Sequence, residues 1–474
     1  MTETLWGLVG FFNYLVLLYF IALNAVYLAT TVLAFAALRR LSITLKALDS
    51  MELIGSNWAP PVSLIAPAFN EEATCVDSVH SLLSLEYPGI DVIVVNDGST
   101  DGTVARLTEA FNLYETDRLA TGTIETSTVR AIYRSRRHRN VWLIDKENGG
   151  KADALNVGIN YTHTPLFCAM DADSLVEPDA LTRITRPFLI DKNTVAVGGV
   201  LRIANGCTVE DGRVTDVRLP RNFLARLQVL EYLRAFLSSR MGWGALNATL
   251  VISGAFGIFR RSAVVAAGGY ATDTVGEDME LIVRLHRYHC EKRIPYRIGF
   301  IPDPVAWTEC PESMVVLGRQ RDRWQRGLIQ SLMRHRIMLF NPTYGRAGML
   351  AFPYFFFLEM LGPVIELAGY ASFIATVLAG RASLEFAVAF LSVAIVLGSV
   401  LSLAAVAMEE LTFRRYPRRS DLFRLFGLAV TENFGYRQLN AWWRLKGTIS
   451  ALRGVQGWGT MTRKGFSNPT GETS

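Results

Sequence analysis

Five short clusters in this 474-residue chain hold residue types at spacings that chemistry needs. The first is Asn96-Asp97-Gly98-Ser99, directly after the β-branched run Asp91–Val95; the loop Pro67-Ala68-Phe69-Asn70-Glu71-Glu72 stands in the same position after Val62–Ala66. An Asp before Gly-Ser-Thr is also ordinary turn and helix-cap chemistry, so alone it decides nothing. The second cluster, Asn148-Gly149-Gly150-Lys151, opens a helical stretch. Free N–H groups at a helix N-terminus beside a lysine suit a phosphate, although a plain loop and cap reads the same way. The third, Asp171-Ala172-Asp173, follows the apolar run Leu166–Met170. Two carboxylates held close repel and want a cation between them, and their oxygens suit a hard divalent ion that bridges to a diphosphate. The fourth is Gly276-Glu277-Asp278, downstream of the small-residue segment Ser253-Gly254-Ala255-Phe256-Gly257. A carboxylate there can take a proton from a hydroxyl as general base. Adjacent residues face different ways, so one of the two carboxylates serves structure. The fifth is Gln320-Arg321-Asp322-Arg323-Trp324. On a helix, Gln320, Arg323 and Trp324 share a face at i, i+3 and i+4. An arginine fork pairs with phosphate oxygens and an indole stacks on a flat ring; an interfacial helix with snorkelling arginines is the plainer alternative.

These clusters need a scaffold, and the chain between Val62 and Arg346 supplies one. Short β-branched runs (Val62–Ala66, Asp91–Val95, Val141–Ile144, Leu166–Met170, Thr194–Val200) alternate with helical stretches (Glu71–Leu85, Gly102–Tyr114, Lys151–Tyr161, Pro178–Leu189). Alternation of this kind predicts βαβ units and a mostly parallel sheet, with ligands at the carboxyl ends of the strands. Thr116–Arg139 has no clear period and reads as a surface insertion; Arg202–Pro220 reads as a turn-rich hairpin or loop.

Composition adds the setting. The chain is 50% hydrophobic and 19% charged, below the roughly 25% charged of soluble domains, and the apolar excess sits at its two ends. Leu5 to Leu38 is almost uncharged and exceeds the ~20 residues that span hydrocarbon. Its basic residues follow the apolar run, which makes it an anchor and not a signal peptide. Ala347 to Gly380 and Leu384 to Met408 read as an out-and-back pair of spans, the first kinked at Pro353 and Pro363. Asp421–Arg453 mixes Tyr436, Trp442 and Trp443 with Arg424, Arg437, Arg444 and Lys446, the composition of a helix lying in the interface, with a further span as the alternative. The expected division is an anchor over 1–40, a catalytic domain over 41–346, two spans over 347–410, and an interfacial helix and tail over 411–474. Net charge is +5, and the basic clusters (Arg39-Arg40, Arg134–Arg139, Arg414–Arg419, Arg463-Lys464) lie mostly beside apolar segments. That pattern places the central domain on the cytoplasmic side of a multi-pass cell (inner or plasma) membrane protein, and it argues against nucleic acid as a partner. The five cysteines have no CxxC spacing, so they form no disulfide framework. His286, His289 and Cys290 lack a second ligand pair and read as residues of an amphipathic helix over Met279–Tyr288.

Taken together, Asn96-Asp97-Gly98-Ser99, Asp171-Ala172-Asp173, Glu277-Asp278 and Gln320-Arg321-Asp322-Arg323-Trp324 resemble, in order and spacing, the processive family-2 glycosyltransferases. That group includes bacterial cellulose, hyaluronan, chitin and poly-N-acetylglucosamine synthases, and the layout is most similar to the last. The resemblance implies an α/β GT-A domain with transmembrane helices, a UDP-sugar donor, and a glycan or lipid-linked acceptor. In that pattern Asp97, Ala68, Asn70 and Glu71 would hold the uridine. Asp171 and Asp173 would bind Mg2+ or Mn2+ on the diphosphate, with Lys151 nearby. Asp278 would be the general base and Arg323 would steady the leaving diphosphate. Trp324 would form the acceptor platform at the mouth of a membrane channel, with Ser253, Gly254, Glu277 and Gln320 around the acceptor. Family members commonly carry Thr where this chain has Gly276. The implied activity is inverting transfer onto a growing β-linked polysaccharide that leaves through the enzyme's own spans. A non-processive transferase making a glycolipid is the alternative. A receptor or scaffold keeping an inactive domain is disfavoured, because every expected acidic and basic residue is present. A separate export or regulatory subunit is a candidate partner.

Overall fold

The computed structural model describes residues 2–48, 59–171, 174–210, 212–416, 418–455 and 457. Asp173 and the Arg463-Lys464 pair lie outside the described residues. The strands are β1 Val62–Ala68, β2 Ile90–Asp97, β3 Leu113–Glu115, β4 Val129–Ser135, β5 Val141–Lys146 and β6 Leu166–Met170, followed by β7 Leu175–Val176, β8 Thr194–Ile203, β9 Thr208–Glu210, β10 Arg213–Asp216, β11 Phe256–Arg260 and β12 Arg297–Thr308. Ten of them form one sheet in the order β3-β4-β5-β2-β1-β6-β11-β8-β12-β7, and β9 and β10 form a separate hairpin within the segment expected to be a hairpin or loop.

The centre of the sheet is parallel, with β5, β2, β1 and β6 running side by side and β12 parallel to β8. The expectation of a mostly parallel sheet needs correction, because β11 enters antiparallel between β6 and β8, and β3, β4 and β7 are antiparallel at the edges. Antiparallel neighbours need no helical crossover, so the chain can add them from short connections. One of these, β4, falls inside the stretch expected to be an insertion without a period. Its sequence Val-Arg-Ala-Ile-Tyr-Arg-Ser breaks the apolar pattern because a strand near a sheet edge tolerates, and gains solubility from, charged side chains.

Side chains alternate across each central strand. Leu64, Val92, Val94 and Leu143 enter one core, and Ile65, Ile93, Val95 and Ile144 enter the other. Both faces are apolar because helices cover both, so the strands read as continuous hydrophobic runs. The second face is covered by the Lys151–Asn160 and Glu277–Glu291 helices, which begin with functional candidates and thereby hold them at the carboxyl ends of the strands.

The membrane-type segments pack directly under this domain. Among the described residues, Glu3–Arg40 and Leu384–Thr412 are long and apolar enough to cross a membrane, and Ala347–Met360 with Gly362–Leu378 makes a third if that pair, bent by 44°, is one span. The bend lies at Leu361, just before Pro363, and Pro353 precedes a π-helical stretch, Tyr354–Met360; proline and π-turns are the usual causes of such breaks. The segment expected as one interfacial helix is two, Arg419–Thr431 and Tyr436–Leu452, broken at Gly435, whose φ is +95°. The second crosses the Met314–Arg334 helix where glycines allow contact: a Cβ on Gly318 would lie 2.7 Å from Trp443 Nε1, and one on Gly447 would lie 2.7 Å from the Asp322 carbonyl oxygen.

A buried ion pair ties the domain to the last span. Arg202 on β8 donates from Nη2 to both carboxylate oxygens of Glu409 at 2.7 Å, with both side chains almost fully buried. Removing one partner of such a pair strands the other charge. Glu409→Gln is expected to cost about 3–5 kcal/mol, read as a lower thermal midpoint in detergent. The double change Arg202→Met with Glu409→Leu should recover most of it.

Candidate active site

The loops after β1 and β2 are joined by their own polar groups. The Asn70 N–H donates to Ser99 Oγ at 2.9 Å, and the Thr100 N–H donates to Asn70 Oδ1 at 2.9 Å. Asn70 takes φ +55°, a left-handed conformation that Asn tolerates. Glu71 Oε2 accepts from Thr74 Oγ1 at 2.6 Å, and Ala68 is the buried last residue of β1. Asp97 is buried at the end of β2. Its carboxylate accepts from the Gly149 N–H at 2.9 Å, the Gly150 N–H at 2.8 Å and Lys146 Nζ. The Asp97 carboxylate therefore shapes the glycine turn that opens the Lys151 helix. Lys146 also pairs with Asp153 at 2.7 Å and is fully buried. Sequence reasoning passed it over; its one signal was a lysine closing an apolar strand.

Beyond that turn lies a cavity of about 690 Å³, and most of the anticipated residues meet in it. Lys151, Asp171, Glu277 and Asp278 line one part; Ser253 and Gly254 line its floor; Gln320, Arg323 and Trp324 line the part formed by the Met314–Arg334 helix. Ala68, Asn70, Glu71 and Asp97 are not among its lining residues and stay in the adjoining strand-end loops.

Charge organises the cavity. Lys151 Nζ lies 2.5 Å from Asp171 Oδ1 and 3.6 Å from Glu277 Oε1. Burial works against the charge on Lys151, but Asp171, Glu277 and Asp278 outweigh it and hold the ammonium above its ordinary value. Burial also pushes the Glu277 carboxyl up to about 7, with Lys151 pulling against it and Asp278 adding to it. Glu277 and Asp278 are the first two residues of the Glu277–Glu291 helix, where the macrodipole favours negative charge. Asp278 Oδ2 accepts from the Gly254 N–H at 3.1 Å and Oδ1 from the Met279 N–H at 2.8 Å, which fixes the carboxylate without removing it from the cavity. The pair divides as its adjacency requires: Glu277 faces Lys151, and Asp278 faces Gly254.

The fifth cluster divides in the same way. Trp324 is 43% exposed toward the cavity, while Arg321 is buried and pairs with Glu231 at 2.8 Å. Arg321 also stacks 4.2 Å from the Trp324 ring, which sets the plane of the indole. Glu231 accepts a second bond from the Tyr436 hydroxyl at 2.7 Å, so the C-terminal helix braces this face.

For a divalent cation, the donor chemistry fits. Asp171 presents a carboxylate just past the strand end, the oxygen donor a hard ion takes, with one of its oxygens paired to Lys151. Among the described residues no group of three metal-ligating side chains stands together, and the second expected ligand, Asp173, lies outside them. His286 and His289 are committed elsewhere: His286 bonds to Tyr296 Oη and the Thr249 carbonyl, and His289 to the Leu285 carbonyl.

Gly276 has a steric reason. A Cβ on it would lie 2.7 Å from Gly327 Cα, and one on Gly327 would lie 2.8 Å from Gly276 Cα. Two glycine backbones in contact press the Asp278 loop onto the helix that carries Arg323 and Trp324. Gly276→Ala or Gly327→Ala is expected to lower stability by about 1–3 kcal/mol, read in thermal unfolding. A crystal structure of either variant should show that helix displaced from Asp278; an undisplaced helix would remove the steric account.

Comparison with known proteins bears on the family and the fold. Residues 60–327 match the family described as glycosyltransferase like family 2. Poly-beta-1,6-N-acetyl-D-glucosamine synthases of Staphylococcus epidermidis and Staphylococcus aureus are 28% identical over 274 residues, covering 58% of this chain and 56% of theirs. The chain thus matches only a little over half the length of those relatives. A mannosyltransferase from Pyrobaculum calidifontis, solved in complex with GDP-Man and Mn2+, shares the fold with a TM-score of 0.53 at 19% identity, over 92% of this chain and 100% of that one. The sheet, with a parallel Rossmann-like core, is of the GT-A type, and the chain belongs to glycosyltransferase family 2.

Proposed function

We propose that the chain transfers N-acetylglucosamine, or a closely related hexosamine, from a UDP-sugar to a growing β-linked glycan, with inversion at the anomeric carbon. The observation that carries this is the placement of Asp278. Its carboxylate is anchored by the Gly254 N–H, and the same cavity holds Lys151 and Asp171 as well as Arg323 and Trp324. In this reading Ala68, Asn70, Glu71 and Asp97 form the uridine end, and the donor's diphosphate lies against Lys151 and Arg323. The acceptor sugar stacks on Trp324, near Ser253, Gln320 and Glu277. Asp278 takes the proton of the acceptor hydroxyl as its oxygen bonds to the anomeric carbon. The bond from that carbon to the diphosphate breaks at the same time, and the nucleoside diphosphate leaves with the electron pair. Lys151 and Arg323 receive the negative charge that develops there. Asp171, with Asp173, would hold Mg2+ or Mn2+, which when bound supplies further charge compensation on the diphosphate.

The identity of the staphylococcal relatives supports a polysaccharide product. The apolar helices beneath the domain support a multi-pass protein of the cell membrane, with the catalytic domain on the cytoplasmic side and the glycan passing out between its own helices. A separate export or regulatory subunit would complete that path if these spans do not.

Membranes carrying the protein, given a panel of labelled UDP-sugars, should incorporate one of them into a large, glycosidase-sensitive chain. A small solvent-extractable glycolipid would overturn the polymer reading. Asp278→Asn should lower transfer by about 10²–10⁴-fold with donor binding retained, and near-normal transfer would sink the assignment of the base. EDTA should stop the reaction, and added Mg2+ or Mn2+ should restore it.

A further inference from the structure

The Glu277–Glu291 helix carries a third carboxylate in its first turn, and this one never reaches the catalytic cavity. Glu280 stands two residues after Asp278, which is about 200° around a helix axis. As Asp278 faces the cavity, Glu280 therefore faces the interior, where it is 1% exposed. A buried carboxylate is costly unless charged donors meet it, and here two do. Arg284 donates from Nε to Oε1 at 2.9 Å and from Nη2 to Oε2 at 2.7 Å, a two-pronged pairing. His335, equally buried, donates from Nε2 to Oε1 at 3.0 Å. Burial works against the charge on Glu280, but the bonds from His335 and Arg284 outweigh it and hold the carboxyl down at about 2.

These partners lead to the helices on either side. His335 directly follows the Met314–Arg334 helix, which carries Arg323 and Trp324. The same helix grips the loop before Asp278: Gln330 Oε1 accepts from Thr274 Oγ1 at 2.9 Å and from the Val275 N–H at 3.0 Å, and Arg334 pairs with Asp273 at 2.5 Å. On the other side, Arg284 donates to the Ala267 and Gly269 carbonyls. The next residue, Tyr270, is held by the Asn156 side chain: Oδ1 accepts from the Tyr270 N–H at 2.7 Å, and Nδ2 donates to the Tyr270 carbonyl at 2.9 Å. Asn156 is buried on the Lys151–Asn160 helix. Glu280 thus stands in a buried polar chain that joins the helices bearing Lys151, Asp278 and Trp324. Apolar packing is non-directional and leaves a helix some freedom to turn about its axis. Charge-assisted bonds in a dry interior are directional, and they remove that freedom.

We propose that Glu280 is a positioning residue for transfer: pinned by Arg284 and His335, it sets the rotation of the Glu277–Glu291 helix and with it the aim of the Asp278 carboxylate into the cavity. This rests on the transferase reading above, in which Asp278 is the base. Glu280 itself touches neither donor nor acceptor, and its whole effect on the reaction passes through Asp278.

The test is a double-mutant cycle on kcat, with UDP-N-acetylglucosamine as donor and a short N-acetylglucosamine oligomer as acceptor, well below the thermal midpoint of every variant. Glu280→Gln keeps the shape and removes the charge. It should lower kcat by about tenfold or more while both KM values stay within about twofold of the parent. In the Asp278→Asn background the same change should cost less than about twofold, because no base is left to aim. An unchanged kcat, or an equal fold loss in both backgrounds, would overturn the proposal, since a role confined to holding the fold together does not depend on Asp278. Should Glu280→Gln not fold, His335→Ala breaks the same link and should lower kcat with the same dependence on Asp278. His335→Gln, whose amide can still donate to Glu280, should recover most of that loss. A parental kcat in His335→Ala overturns the proposal equally. A parent protein that turns over no nucleotide-sugar would instead fail the transferase reading, and that result appears before any variant is made.

Discussion

Bringing Asp171, Glu277 and Asp278 into one cavity sets three carboxylates where like charges repel, and the ammonium of Lys151 offsets them. The four arrive from three local causes. Asp171 ends a central strand, Lys151 opens a helix from a glycine turn, and Glu277 and Asp278 open another helix whose dipole favours them. The sheet holds these termini together because their strands and helices share one apolar core, and the carboxylates around Lys151 hold its ammonium above its ordinary value against burial. A donor diphosphate entering this arrangement would find a cation already present, and a divalent ion at Asp171 would extend the same balance.

A second constraint acts across the cavity. The Gly276–Gly327 backbone contact presses the loop before Asp278 onto the helix that carries Arg323 and Trp324, and the Tyr436–Leu452 helix supports that helix from behind. Glycine at 276 has its own explanation: the backbone of Gly327 lies so close that there is no room for a side chain. The same bracing reaches the membrane-type segments, since Gln325 donates to the Met360 carbonyl at the bend and Arg444 donates to Gln325 Oε1 at 2.9 Å. The Met314–Arg334 helix and the helices below it are thus joined by direct hydrogen bonds.

Much of this could be read from residue order. Strand and helix positions were legible because both faces of the central strands are buried, so the apolar runs are unbroken and bounded by turns. The five clusters were legible because each lies at a strand end or opens or lies on a helix, where position along the chain already implies exposure to a ligand. The β4 strand was missed because a strand near the sheet edge may alternate charge with apolar side chains and so lacks a buried signature. Lys146 was missed because a single buried cation leaves no pattern in sequence; its meaning lies in the carboxylates it meets, Asp97 and Asp153.

The sequence by itself determined the elements and the chemistry available at their ends, because local periodicity and turn residues act over a few positions. Only the tertiary structure decided which of those groups face each other. It turned Glu277 toward Lys151 and Asp278 toward Gly254, and committed the Asp97 carboxylate to the glycine turn. It also set Arg321 against Glu231 behind Trp324. The physical reason is that charge balance and close packing are properties of neighbours in space, and those neighbours are brought together from positions tens to hundreds of residues apart.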